Sequence, residues 1–189
     1  MKLKTLYINK LKTDTSNDYS EVIANCKELF GKKTQDYGTA WRILRLPSIT
    51  DQILIKAQRI RSIQEKGRQK IEDDVISEFL GIINYCLIAL IQIDLEDTAE
   101  LEISWDKLEP LYDQAVQETK ALLQNKNHDY DEAWRDMRIS SITDIILMKL
   151  FRVKQIEDNE GQTLVSEGIK ANYQDIINYA VFCLIKLTE

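Results

Sequence analysis

QDYGTAWRILRLPSITDQILIKAQRI, residues 35–60, returns later in the chain as HDYDEAWRDMRISSITDIILMKLFRV, residues 128–153. An internal repeat is read before anything else, because overlooking one misassigns the fold. Asp36, Tyr37, Ala40, Trp41, Arg42 and Arg45 recur as Asp129, Tyr130, Ala133, Trp134, Arg135 and Arg138. Ser48, Ile49, Thr50, Asp51, Lys56 and Arg59 recur as Ser141, Ile142, Thr143, Asp144, Lys149 and Arg152. The correspondence reaches back to Tyr19/Tyr112 and Lys27/Lys120. After one inserted residue it resumes at IINY, residues 82–85 and 176–179.

Around this repeat each unit reads as three helices with a short turn. The first helix is expected over residues 20–33, and its counterpart over residues 110–126 with Pro110 in the first turn, where a missing N–H is harmless. A turn carries the Asp-Tyr and Ala-Trp-Arg groups. The second helix is expected to open at Ser48 or Ser141, with the serine as cap and an acid three residues on suiting the positive helix end. Ile53, Leu54, Ala57 and Ile60 then recur at helical spacing, and Gly67 and Gly161 mark the stop. The third helix is the most apolar, over residues 73–93 and 164–187. Residues 1–18 form an N-terminal segment, 19–93 the first copy, 94–103 an acidic linker and 104–189 the second copy. Each unit alone would expose much apolar surface, and two copies can bury it mutually. The fold class is therefore all-α: a pseudo-twofold helical bundle of two tandem three-helix repeats.

Composition agrees. At 189 residues, 44% hydrophobic and 30% charged, the chain has the profile of an ordinary globular protein. Six glycines and two prolines supply few turns for an all-β fold. Cys26, Cys86 and Cys183 lie far apart without zinc spacing, and a single histidine completes no common zinc set. Buried free thiols in a reducing cytoplasm are expected. The N-terminus lacks a signal-peptide core. The most apolar run, residues 79–93, carries Asn84 and Gln92 and is shorter than a membrane span needs, so it reads as a buried helix and no membrane partner is expected. A net charge of −6 argues against bulk nucleic-acid binding. Residues 41–70 nevertheless hold eight basic residues against Asp51 and Glu65, a zoning that suits a local anion site.

The repeated polar set comprises Asp36, Tyr37, Trp41, Arg42, Arg45, Asp51, Lys56, Arg59 and Asn84, with Asp129, Tyr130, Trp134, Arg135, Arg138, Asp144, Lys149, Arg152 and Asn178 in the second copy. Lys56 and Arg59, like Lys149 and Arg152, share a helix face. Arginine offers a planar fork to phosphate, lysine a point charge, and tryptophan or tyrosine a surface on which a base can stack. The set suits a phosphorylated, base-bearing ligand. It equally suits Arg–Asp pairs that clamp the turn to the helices. Asn84 and Asn178 stand in very apolar helices, so each amide needs a specific partner. Glu78 and Gly81 align with Asn172 and Asp175, so each copy keeps one acid of an E-x-x-D pair. Glu78 and Asp175 could rebuild a split metal site if the third helices lie side by side, with Mg²⁺ as the ion such a site takes.

Lys33, Asp36, Tyr37, Gly38, Trp41 and Arg42, then residues 48–51, Lys56, Arg59, Ile60 and residues 82–85, resemble the nucleotide modification associated domain 1 family. The second copy repeats them, with Asp131 for Gly38 and Val153 for Ile60. The family's D-x-x-N-Y arrangement survives in residues 175–179, whereas Gly81 departs from it in the first copy. The resemblance implies a link to nucleotide or base modification. The helical pattern is also similar to MazG-like nucleoside triphosphate pyrophosphohydrolases. Those carry an E-E-x-x-E cluster on an earlier helix, where here Asp51 and Asp144 stand alone. The leading expectation is a nucleotide-associated protein binding a phosphorylated small molecule. The alternatives are a Mg²⁺-dependent pyrophosphohydrolase and a non-catalytic interaction scaffold. Self-association into a homo-oligomer is compatible with each.

Overall fold

The structure is a computed structural model. It describes residues 15–67, 74–95, 98–130, 132–162 and 167–189, and for residues 125–130 the backbone alone. Its described residues contain helices and no strand. In the first copy α1 spans Thr15–Tyr37, a 3₁₀ turn Ala40–Ile43, α2 Leu46–Lys66 and α3 Val75–Asp94. In the second copy α4 spans Trp105–Tyr130, a 3₁₀ turn Ala133–Asp136, α5 Ile139–Asp158 and α6 Ile169–Thr188. The all-α class and the order of elements in each copy match the sequence reading.

The third helices form the centre. Phe79, Ile82, Ile83, Cys86, Leu87 and Ile91 of α3 are fully or almost fully buried, as are Tyr173, Ile176, Ile177, Ala180, Val181 and Cys183 of α6. Helices α3 and α6 pack on each other, α2 covers α3, α5 covers α6, and α2 meets α5. By length and composition α3 is apolar enough to cross a membrane, yet here it is wrapped by α1, α2, α4 and α6. Burial raises the thiols of Cys26 and Cys183 to about 12, and that of Cys86 well up. All three are therefore un-ionised near neutral pH.

The outer helices are exchanged between the copies, and two buried amides show how. Asn84 Nδ2 donates to the Cys26 carbonyl of its own copy at 3.0 Å, and its Oδ1 accepts from Tyr112 Oη of the other copy at 2.9 Å. Asn178 Nδ2 donates to the Thr119 carbonyl at 3.5 Å, and its Oδ1 accepts from Tyr19 Oη at 3.0 Å. Cys26 and Thr119 are repeat equivalents, as are Tyr19 and Tyr112. The same operation relates Lys27, paired with Glu109 and Asp113 at 2.8 Å, to Lys120, which reaches the Ser16 carbonyl and Ser20 Oγ. This is the pseudo-twofold axis expressed in bonds. Burying an amide in so apolar a helix is tolerable because both ends are satisfied.

Several expectations about helix ends need correcting. Helix α1 begins by Thr15, ahead of the start expected at residue 20, and runs on to Tyr37, past the end expected at residue 33. Helix α4 begins at Trp105, so Pro110 lies in its second turn. The missing N–H there deprives the exposed Asp106 carbonyl of its intrahelical donor. Helices α2 and α5 open at Leu46 and Ile139, not at Ser48 and Ser141. Arg45 and Arg138 sit at the cap positions without side-chain cap bonds. The extended exit from each 3₁₀ turn leads directly into the helix, and Pro47 fits its first turn in the first copy. Gly67 does stop α2, at φ +60°, with its N–H on the Ile63 carbonyl. The helix starts expected at residues 73 and 164 fall outside the described residues, as do Arg68 and Lys70 of the basic run.

Candidate functional site

Two concavities matter. The first lies in the first copy between the C-terminal half of α1, the 3₁₀ turn and α3. Its volume is about 250 Å³, and its wall includes Lys33, Tyr37, Gly38, Trp41, Asn84 and Tyr85. These positions come from two separated segments of sequence, residues 29–41 and 81–88, and are brought together by the fold. Tyr37 is 73% exposed at the mouth. Gly38 has φ +59°, the left-handed region that glycine adopts without strain, and this turns the chain from α1 into the 3₁₀ segment. Lys33 forms no ion pair among the described residues, so its charge is open to a ligand.

The lysine of α2 lies beside two residues of that wall, Gly81 and Tyr85. Lys56 Nζ pairs with Glu78 at 3.2 Å and lies 5.9 Å from the centre of the Tyr85 ring. A Cβ placed on Gly81 would come within 2.9 Å of the Lys56 side chain. The lysine thus crosses α3 over the position where the second copy has Asp175. Arg59 also pairs with Glu78, which is almost wholly buried.

The second concavity is an open groove of about 830 Å³ along α5. Lys149, Arg152, Asp144 and Asn172 line it, with Arg61 from α2. Lys149 Nζ pairs with Asp175 at 2.6 Å. Each third-helix acid is therefore held by the second-helix lysine of its own copy, from positions one helical turn apart. Both acids expected to form a split metal site therefore already carry a cation partner. A Mg²⁺ ion at either acid would first have to displace the lysine. Among the described residues no group of three or more His, Cys, Asp or Glu side chains is placed to hold a metal.

Other members of the repeated set serve the scaffold. Arg42 is 7% exposed. It donates to Gln92 Oε1 at 2.6 Å and to the carbonyls of Thr98, Glu100 and Leu95 at 2.6, 3.1 and 3.3 Å. It thereby pins the acidic linker, helped by Thr39, whose hydroxyl donates to the Leu101 carbonyl and accepts from Ile103 N–H. Arg135 instead ties its own turn to the start of α1 and the end of α6: Glu132 at 2.8 Å, Glu189 at 2.6 Å, Asp18 at 3.4 Å and Thr15 at 3.0 Å. Asp36, Arg45 and Arg138 are exposed. The side chains of Asp129 and Tyr130 lie outside the described set.

The repeat comparison also conceals differences that sequence reading passed over. Trp134 stacks face to face on Phe182, with ring centres 4.3 Å apart and planes 3° from parallel, and Arg135 covers its other face at 4.5 Å. Position 182 corresponds to Ile88. Thr50 Oγ1 bonds Glu157 at 2.6 Å and Tyr173 Oη at 2.7 Å, whereas the mirror position pairs Thr143 with Gln64 Nε2 at 3.0 Å. Burial raises the Glu157 carboxyl above its ordinary value, the Thr50 bond opposing. The signal that could have found these was the set of mismatched repeat positions, not the matched ones.

An all-α bundle of two tandem motif-bearing units, with one cavity framed by the motif, is the class these observations define. The family model for nucleotide modification associated domain 1 matches residues 33–93 and, separately, residues 126–187. The chain belongs to that family, in two copies. No solved structure and no curated protein matches it.

Proposed function

We propose that the protein binds a nucleotide, or another phosphorylated small molecule, in the cavity of its first copy. The observation that carries this reading is the makeup of the cavity wall. Trp41, Tyr37 and Tyr85 offer aromatic surface, Lys33 offers a charge without an ion pair among the described residues, and Lys56 lies against Gly81, itself part of the wall. A largely apolar cavity with a few convergent polar groups is the usual form of a small-molecule site. About 250 Å³ suits a base and part of its sugar, leaving phosphate at the rim beside lysine. Family membership supports the same ligand class, through a name that links the domain to nucleotide modification.

Isothermal titration with nucleoside mono-, di- and triphosphates tests the reading. At least one should bind the wild-type chain, and binding should weaken as salt rises, because charge contacts at an open rim are screened. Lys33→Ala should reduce both affinity and salt dependence while leaving the far-ultraviolet helical signal intact. Absence of binding by every nucleotide would leave the scaffold reading ahead. The pyrophosphohydrolase reading draws no support from Glu78 and Asp175, whose cation pairs occupy the carboxylates it would need.

A further inference from the structure

The two copies differ at the point where the cavity opens. In the second copy Phe182 lies flat on Trp134, and Tyr179 meets the Phe182 edge at 84°. Trp134 is consequently 5% exposed. In the first copy the equivalent residues are Trp41, Ile88 and Tyr85, and all three line the cavity. A branched aliphatic chain of four carbons cannot cover an indole as a phenyl ring does. Trp41 is left partly exposed, and it shares the wall of the cavity with Ile88. Phe182 thus acts as a built-in ligand: it shows that the repeat's tryptophan accepts a flat ring at stacking distance on the side facing the third helix.

Resting on the nucleotide reading above, we infer that the first-copy cavity receives the flat heteroaromatic ring of the ligand, its nucleobase, stacked on Trp41 where Phe182 stacks on Trp134. The second copy is closed to such a ring by its own side chain. One ring is bound per chain. Stacking tolerates every base, because each has a π face, so the slot selects for an aromatic ring before it selects among bases.

The experiment uses the full chain with three kinds of probe: the common nucleosides, their 5′-monophosphates, and ribose 5-phosphate as the base-free control. Titration should give one site per chain for at least one base-bearing probe, with ribose 5-phosphate weaker by about tenfold or more. Ile88→Phe should fill the slot and weaken that binding about tenfold, whereas Ile88→Val should leave it nearly unchanged. Bound base should quench tryptophan fluorescence, and Trp41→Phe should lose the quench and bind more weakly. Should Ile88→Phe not fold, that quench decides: a quench unchanged in Trp41→Phe overturns the slot. So does wild-type affinity in a folded Ile88→Phe, equal binding of ribose 5-phosphate, or no binding of any base-bearing probe. The two readings fail separately. Nucleosides that bind without gain from phosphate, yet are lost in Ile88→Phe, support the slot and remove the phosphate site. Nucleotides weakened by Lys33→Ala but indifferent to Ile88→Phe do the reverse.

Discussion

The first copy keeps an open cavity beside Trp41, and the second has closed the same place around Trp134. The matched residues build one scaffold twice. The mismatched ones give the halves different interiors and cavity walls: Ile88 against Phe182, Gly81 against Asp175, Gln64 against Glu157, Phe79 against Tyr173. A duplicated unit needs its shared core to keep its shape, so the frame is held at the repeated positions. Binding chemistry is freed to diverge wherever one copy suffices.

The sharpest way to break this comparison is to remove the ring that closes the second copy. Phe182→Ala should lower stability by about 3–5 kcal/mol, the usual cost of deleting a packed phenyl. Ile88→Ala should cost less, because Ile88 already borders a cavity. Urea unfolding of both variants measures the difference, and equal losses would mean that Ile88 is packed as tightly as its counterpart. Next come the exchanged amides. Asn84→Leu and Asn178→Leu should each cost about 1–3 kcal/mol by stranding a tyrosine hydroxyl and a carbonyl. Asn84 should cost more, since its amide bond to Cys26 is 3.0 Å where that of Asn178 to Thr119 is 3.5 Å.

A smaller effect is expected at Glu157. A carboxyl raised in the folded protein binds its proton more tightly there than in the unfolded chain. Its contribution to stability is therefore fullest at low pH and is lost as pH rises from its ordinary 4.5 through the folded value. Glu157→Gln, copying Gln64, should leave stability near pH 4 little changed and raise it relative to wild type by pH 7. Thermal midpoints at the two pH values check this, and a constant difference would contradict it. The smallest effect belongs to Gly81→Asp, which restores the acid that the second copy has. The clash at 2.9 Å is with the far end of a lysine, which can swing to pair with the new carboxylate. Net change within about 0.5 kcal/mol is expected, since the loss of a helix-interior glycine is itself favourable. A loss well beyond that would show the Lys56 arm to be locked across α3.

The fold was legible because the repeat fixed both the number of units and the role of each helix, and because Asn84 and Asn178 advertised a buried partner. Their partners were not legible. Periodicity along one helix cannot say that Tyr112 serves Asn84 while Tyr19 serves Asn178, since that depends on how the copies turn about each other. Arg42 and Arg135 matched in sequence, yet one binds the linker and the other the chain ends, because their surroundings are not part of the repeat. Glu78 and Asp175 were read as a split pair on the strength of alignment. Their capture by Lys56, Arg59 and Lys149 follows from the neighbouring second helix, which no spacing rule reports. The cavity went unseen as a cavity: its motif residues were visible, but what opens it is the absence of a ring at position 88.

The crossed Asn–Tyr bonds carry a consequence for how the molecule comes apart. Each half completes the interior of the other, so neither owns a finished core, and the chain behaves as a dimer whose subunits happen to be fused. Heating or denaturant should melt both halves in one cooperative transition. If the segment between Leu95 and Ser104 were cut, the halves would hold together only as separate partners do, with a midpoint that rises with protein concentration. The linker that Arg42 pins is, on this view, a tether: it substitutes a fixed local concentration for the dilution that free halves would face.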